Sequence, residues 1–575
     1  MKKQFIIATA LAAGFAAQAA NIHIATDITV STVWTSNNVY TLDTVIFVDN
    51  GATLTIEPGT VIRGFEPGGT SARPGALVIA RGSKIRAKGT AEAPIVMTDE
   101  SDDNVGGATG TGPYFQQNNG MAEHWGGLIV LGNSYIATDV GDPGTPSPDG
   151  SLELQIEGIE DFGDVSKYGG GDDDDDSGEI SYVSIRYGGY VIGSDNEING
   201  LTLGAVGRET KIDHVEVFQN KDDGVEFFGS TVDTKYMLVW SVGDDGFDWD
   251  QGFRGKGQFW MNVQGPLAET DDKSDKGSEM DGGDGDSSQP SSCPTIYNAT
   301  YIGLANTADT KNTALHFRDG TAGRYYNSVF MDFGGAPMLI EKDPSSTDGS
   351  GYKTTLDYVN DAYYTHSTGG KMLELKGNVF FNIGTGTDIP DNAAEGQTYG
   401  ASSGDSSKEH YGTADGFNPF ASNNTYAASS PIASLFRSPI ATTIGGKDYN
   451  SVFFLNPSAA NDAASVSMNV PVDGFFAKAN YAGAFGSYNW AANWTTADRL
   501  GYFVGISDTV PAPVLNGFAG YSIEFETVLG VTYYVQEATL PGPWTNVGIV
   551  EGTGGYVTFT TEMLDDSKVY QVVVM

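Results

Sequence analysis

A short stretch repeats at a fixed interval, and this repeat restricts the fold more than any other feature. His214-Val-Glu-Val-Phe218 aligns with Tyr236-Met-Leu-Val-Trp240 and Gln258-Phe-Trp-Met-Asn262, each beginning 22 residues after the last. Between them, Asp222-Asp-Gly-Val-Glu-Phe227 aligns with Asp244-Asp-Gly-Phe-Asp-Trp249 at the same interval. Each unit holds two short strands separated by Asp/Gly turns. Units of this length, rich in strand signals and poor in helix signals, describe an all-β solenoid in which one unit is one coil.

Strand alternation then separates inside from outside. In the first strand, Val183, Val215, Met237 and Phe259 are expected to form one interior column, and Ile185, Val217, Val239 and Met261 the next. In the second strand the columns are Leu201, Val225 and Phe247, then Leu203, Phe227 and Trp249. Glu226 and Asp248 point outward, with Asp222, Asp223, Asp244 and Asp245 at the turn before them. Coils stack about 4.8 Å apart, so carboxylates lie above carboxylates.

Charge narrows the partners. Lys and Arg total 31 against 73 Asp and Glu, a net charge of -42. Such a chain has nothing to neutralise nucleic-acid phosphates and is repelled by anionic membrane surfaces. It favours cations. Lys2-Lys3, the apolar run Phe5 to Phe15 and Ala17-Gln18-Ala19 fit a signal peptide at 1–19, with a mature start at Ala20 and an exported, extracellular or outer-surface location. No other stretch reaches the length of a transmembrane segment. Cys293 is the single cysteine, so stacking rather than disulfides must hold the coils.

In chain order, residues 20–51 are expected as an N-terminal cap and 52–390 as the solenoid, with a mobile surface loop inserted at 265–294. Residues 391–510 read as an irregular cover and C-terminal cap. Val510-Pro-Ala-Pro513 reads as a linker, and 514–575 as a small β-sandwich of short alternating strands. The run Asp172 to Asp176 reads as a solvated turn or a calcium-binding one.

The acidic ladder is the main candidate site: Asp222, Asp223, Asp244, Asp245 and Asp248 as ligands for Ca²⁺, with Glu226 and Asp250 beside them. Carboxylates about 5 Å apart repel by about 1 kcal/mol in water and about 3 at an effective dielectric of 20. An oxygen-liganded Ca²⁺ would relieve that repulsion. A structural reading stands beside it: Asp before Gly bonds to its own turn backbone, with Lys221 or Arg254 as compensating charges. His124, His214 and His316 are single, and His316 is expected at the surface. Trp240 above Phe218, and Trp260 near Leu238, are expected on the outward side, where an aromatic row can bind sugar rings or, on the favoured reading, lie under the 265–294 loop.

Glu197-Ile-Asn-Gly-Leu-Thr-Leu-Gly204, Asp222-Asp-Gly-Val-Glu-Phe-Phe-Gly229, Gly243-Asp-Asp-Gly-Phe-Asp-Trp-Asp-Gln-Gly252, Glu279-Met-Asp-Gly-Gly283, Tyr297-Asn-Ala-Thr-Tyr-Ile-Gly303 and Tyr325-Tyr-Asn-Ser328 resemble a family of exported bacterial right-handed parallel β-helix surface proteins. Tyr481-Ala-Gly-Ala-Phe485 and Trp494-Thr495 resemble that family's closing segment. The resemblance spans about Ala52 to Gly501 and implies a right-handed parallel β-helix. The C-terminal module resembles small β-sandwich tails of exported bacterial proteins.

A second resemblance is to β-helical polygalacturonases, which pair aspartates on successive coils, but their Gly-His-Gly and Arg-Ile-Lys motifs are not found downstream. Pectate lyases on this fold combine calcium-binding aspartates with an arginine base; Arg254 and Arg318 are the residues that could be proposed, and no spacing singles out either. No catalytic residue is assigned. The expected function is a secreted or surface-exposed, non-catalytic β-helix protein for adhesion or glycan binding, stiffened by calcium, with polysaccharide or cell-surface components as partners. The alternative is a polysaccharide lyase or glycoside hydrolase working from the acidic face.

Overall fold

The computed structural model describes residues 20–574 apart from 67–72, 103–120, 140–151, 194–195, 284–287, 319–320, 342–372, 385–407, 411–423, 467–468, 472, 510–514, 520–521, 528–531, 539–544, 553–555 and 561–568. The expected signal peptide at 1–19, the linker at 510–513 and most of 391–423 lie outside the described residues.

The repeat folds as a parallel β-helix. Among the described residues one sheet has ten short strands, including Leu128–Leu131, Leu201–Gly204, Val225–Phe228, Phe247–Asp250, Ser278–Met280 and Leu315–Phe317. A second sheet, of eighteen strands among the described residues, supplies two further faces. Long strands that bend round a corner join those faces: Gly178–Arg186, Lys211–Phe218, Thr234–Trp240 and Lys256–Val263. Residues 20–51, expected as a cap, already lie in parallel register, because Ala20–Ile24 pairs with Asn38–Leu42 and that strand with Val61–Gly64.

The corner has its own chemistry. Tyr182, His214, Tyr236 and Phe259 all have left-handed backbone, with φ of 51°, 49°, 58° and 56°. A side-chain-bearing residue costs about 1–2 kcal/mol in that region. Their rings stack down the helix, with centroids 4.2, 4.5 and 5.0 Å apart. Each stacked pair returns about 0.5–1.5 kcal/mol beyond its burial. The next two coils use Asn298 and Asn327 at the same corner, a residue type that tolerates the conformation.

This corner corrects the sequence register. Val183, Val215 and Met237 do form an interior column, but its fourth member is Trp260, not Phe259. In the next column Val239 is followed by Asn262, not Met261. The step from Met237 to Trp260 is 23 residues, and a slip of one position exchanges the two faces of a strand. Trp260 therefore lies inside, with centroids 4.5 Å from Phe247 and 5.6 Å from Phe227. The columns of the first sheet match expectation: Leu201, Val225 and Phe247, then Leu203, Phe227 and Trp249.

Two further expectations change. The 265–294 segment is not simply a surface loop, since Ser278–Met280 is a coil strand in register with Phe247–Trp249. The aromatic cover shown for Trp240 comes instead from Tyr502 and Phe503. These belong to the C-terminal segment, which runs along the side of the helix rather than across its end. Tyr502 stacks on Trp240 at 5.0 Å, and Gln258 exchanges two hydrogen bonds of 2.7 Å with the Ala477 backbone. Glu216, fully buried, accepts from the backbone N–H groups of Thr496 and Ala497 at 2.7 and 3.0 Å and from Ser184 Oγ at 2.5 Å. Those are the orphan donors that open the short helix Thr496–Arg499. Farther along the chain, two three-stranded antiparallel sheets enclose Phe525, Tyr533, Val535 and Val572 as the core of the small β-sandwich.

Replacing Trp260 with Ala is expected to cost about 3–5 kcal/mol, because it empties a stacked interior position; urea unfolding measures it. A pH effect follows from Lys235, which is buried under Phe475 and donates to its carbonyl. Burial lowers its pKa to about 8, against partial opposition from Asp213, Asp473 and Asp233. The unfolded chain then holds the proton to higher pH than the folded one. Stability from this group is full above pH about 10.5 and is lost as pH falls through about 8, a change on the order of 3 kcal/mol. Comparing the chain with its Lys235→Met variant across that window should show the rise in the former and its absence in the latter.

Candidate acidic site

The outward row of the first sheet runs Thr202, Glu226, Asp248, Glu279 and His316, each hydrogen-bonded in register with the next coil. The turn before this row carries Asp222-Asp223 and Asp244-Asp245. Glycine follows each pair for a steric reason: a Cβ on Gly224 would lie 2.4 Å from Val239 Cγ1 and 2.6 Å from the Gly246 carbonyl. The turn is pressed against the interior column, which holds the aspartates at one height on every coil.

The second aspartate of each pair bridges coils. Asp223 Oδ1 accepts from the Asp245 backbone N–H at 2.8 Å, and Asp245 Oδ1 accepts from the Lys276 N–H at 2.5 Å. This corrects the expected turn chemistry, in which each aspartate served its own turn. The bond goes up the stack because the next coil presents its N–H directly above.

All five expected ligands, Asp222, Asp223, Asp244, Asp245 and Asp248, are brought together. Their oxygens form three overlapping sets, each with all atoms within 4.8 Å: Asp222, Asp223 and Asp244; Asp223, Glu226 and Asp248; Asp245, Asp248 and Glu279. Burial, and then the neighbouring carboxylates, push Asp223, Glu226 and Asp248 well above the usual carboxylate range. Asp245 is pushed up by burial too, partly offset by Lys276.

The upper end of the row is different. Glu279 receives His316 Nδ1 at 2.7 Å, Lys276 Nζ at 3.4 Å and the guanidinium of Arg318. Burial pushes Glu279 up, but the His316 hydrogen bond and the Lys276 and Arg318 charges outweigh it and hold the group well below the usual range. His316 is buried at 1% exposure, which corrects its expected place at the surface: it points out of the coil but lies on this row. Lys221 and Arg254, expected to compensate the ladder, pair elsewhere, with Asp272 at 2.8 Å and Asp173 at 2.7 Å. The Asp172–Asp176 run is a charge-paired clamp: Asp173 meets Arg254, Asp174 meets Arg208 and Asp176 meets Lys84. Of the other histidines, His214 belongs to the corner stack, and His124 lies between Glu66 and Glu269 at 3.4 and 3.2 Å.

The donor set suits Ca²⁺. It consists of carboxylate oxygens with no thiolate or free imidazole in any of the three sets. Asp248 Oδ1 is enclosed and has no hydrogen-bond partner among the described residues. Glu279 was missed from sequence because 31 residues separate Asp248 from it instead of 22, the polar stretch 265–277 lengthening the coil after the last visible repeat at Gln258–Asn262. Alignment of Glu279-Met280 with Asp248-Trp249 is the signal that could have found it.

Lys276 is the buried cation serving Asp245 and Glu279. In calcium-free buffer, Lys276→Met should destabilise the fold by about 3 kcal/mol, since it leaves the enclosed Asp245 without its cation while Glu279 keeps His316 and Arg318; a shift in the urea midpoint reads this out.

Among the described residues no helix is long and apolar enough to cross a membrane. No curated protein and no solved structure matches the chain. A family model described as the pectate-lyase-like β-helix domain matches residues 26–360, more than half of the sequence. The parallel coils, their in-register acidic row and this match agree, and the chain belongs to the pectate-lyase-like β-helix domain family.

Proposed function

We propose that this protein is an exported, surface-exposed or secreted, non-catalytic β-helix protein that binds carbohydrate or cell-surface glycans and carries calcium on its acidic row. The observation that supports this most is the set of carboxylates stacked in register over Glu226, Asp248 and Glu279, with an enclosed oxygen of Asp248 that has no hydrogen-bond partner among the described residues. Stacked charges at this spacing are costly bare and are stabilised by a hard cation. The carbohydrate reading draws on the family, whose name refers to a polysaccharide-cleaving enzyme. Export draws on the charged, apolar and small-residue pattern of residues 2–19. A structural role for the row draws on Asp223 and Asp245, whose side chains are engaged in holding successive coils.

One observation favours a second reading, a polysaccharide lyase or glycoside hydrolase. Asp248 and Glu279 stand side by side, and His316, Lys276 and Arg318 converge on Glu279. Paired carboxylates with a basic group are what acid–base cleavage of a glycosidic bond requires.

Thermal unfolding of the full chain in EDTA and in millimolar calcium tests the first reading. Calcium should raise the midpoint, with stabilisation of about 3 kcal/mol at a hundredfold excess over Kd, and Asp248→Asn should abolish the rise. Affinity electrophoresis through polysaccharide gels should show retardation that EDTA weakens. Release of reducing ends or unsaturated products from the same polysaccharides, lost in Glu279→Gln, would instead establish the enzyme.

A further inference from the structure

The first coil has a neighbour on one side only. Among the described residues Ala20–Ile24 pairs with Asn38–Leu42, Thr32–Trp34 pairs with Thr53–Ile56, and Ile28 bridges to Val48, all in the second coil. The carbonyls of Ile24, Ile28 and Trp34 accept from the N–H groups of Asp43, Asp49 and Glu57 in that coil, at 2.9, 3.0 and 2.9 Å. Backbone groups of successive strand residues point to opposite sides, so those of His23 and Val33 face the open side. A row of this kind is a template for further strand pairing.

Proteins blunt such edges with Lys, Pro, charges or bulges. Here the edge carries none of them. Residues 20–38 contain no Lys, Arg, Glu, Gly or Pro. Their one carboxylate, Asp27, is turned inward and accepts from the Phe47 N–H of the second coil at 3.0 Å. Apolar groups are presented instead. Val30 and Val33 are 74% and 56% exposed, and Ile22, which heads the interior column above Tyr40, is open to water because no described coil lies over it.

The shape of this end selects its occupant. Open edges stand round the coil at residues 20–24, 28 and 32–34. A lone partner strand would meet one of them. An identical coil end, turned over about a twofold axis perpendicular to the helix axis, meets them all at once with antiparallel pairing. Such a contact is isologous and closes on itself. It also brings Thr, Ser, Asn and Val together rather than carboxylates, so two chains of net charge -42 can approach at this surface. The far end is not an equivalent template: there the ten-strand sheet finishes on an antiparallel strand, Lys408–His410, laid against Leu339–Glu341.

Resting on the export reading above, in which residues 1–19 are removed, we infer that the protein is a head-to-head dimer. The first coil of each copy docks on that of a second copy and carries strand pairing and the apolar core across the twofold. The dimer presents two acidic rows on one continuous helix.

Sedimentation equilibrium of the exported chain at micromolar concentration, with its intact mass read to fix the N-terminus, tests this. A chain starting at Ala20 should sediment at twice its monomer mass. Val33→Pro removes an N–H on the open side, where proline costs the helix no hydrogen bond, and Val30→Lys places a charge there. Each should weaken association by about tenfold or more, with the circular dichroism spectrum unchanged. Phe436→Ser, at the exposed phenylalanine of the hairpin formed by Ile432–Arg437 and Val452–Ala459, should leave association as it was. A dimer kept in both first-coil variants would overturn the proposal, and its loss in Phe436→Ser would move the interface to that hairpin. A monomer that starts at Ala20 would overturn the dimer and leave the export reading standing. Retention of residues 1–19 would overturn the export reading and this one with it.

Discussion

Parallel stacking of coils governs everything else in this molecule. Each strand hydrogen-bonds to the equivalent strand of the next coil in exact register, so a residue sits above its counterpart about 4.8 Å away. Like therefore meets like. The consequence depends on the kind of side chain. Aliphatic columns such as Val183, Val215 and Met237 gain burial. Rings gain stacking, as in Tyr182, His214, Tyr236 and Phe259. Carboxylates gain nothing and repel, as in Glu226, Asp248 and Glu279. The rows that repetition favours need no outside help, and the row it disfavours is where the chemistry collects.

The protein has answered that repulsion in three ways. Asp223 and Asp245 turn toward backbone N–H groups of the coil above. Glu279 gathers Lys276, His316 and Arg318. Asp173, Asp174 and Asp176 are tied to arginine and lysine from other coils. The same logic applies to Glu216 on another face, where helix N–H groups and a serine hydroxyl stand in for a cation and fasten the C-terminal cover. A buried carboxylate with several hydrogen bonds is tolerable and one without them is not.

How far the sequence revealed this follows from the same register. The fold class, the first-sheet columns and the five clustered aspartates were legible because Val215 to Met237 and Val225 to Phe247 keep a 22-residue step. Legibility failed where the step changed. One extra residue before Trp260 was enough to exchange inside for outside, since strand periodicity is two. Glu279 and its strand vanished into an apparent loop because the polar stretch 265–277 lengthens the step from Asp248 to 31 residues. His316 looked solvent-facing because alternation reports which way a side chain leaves the coil, not what it meets there. The cover over Trp240 was illegible for a different reason: Tyr502 lies 262 residues away in sequence, and no local pattern encodes so distant a contact.

The corner explains why aromatic residues occupy a conformation that ordinarily selects glycine or asparagine. Left-handed backbone at Tyr236 or Phe259 is unfavourable taken alone, by about 1–2 kcal/mol. Stacking on the ring above and the ring below recovers a comparable amount, and Trp490 and Trp494 close over His214 edge-on, with centroids at 6.4 and 5.9 Å. The strain is thus offset only when the column is continuous and the C-terminal cover is docked. Asn298 and Asn327, which succeed these rings at the corner, hold the conformation without stacking. The aromatic corner is accordingly a property of the coils beneath the cover's tryptophans, and it makes the long-range contact between the cover and those coils a condition of their local backbone geometry.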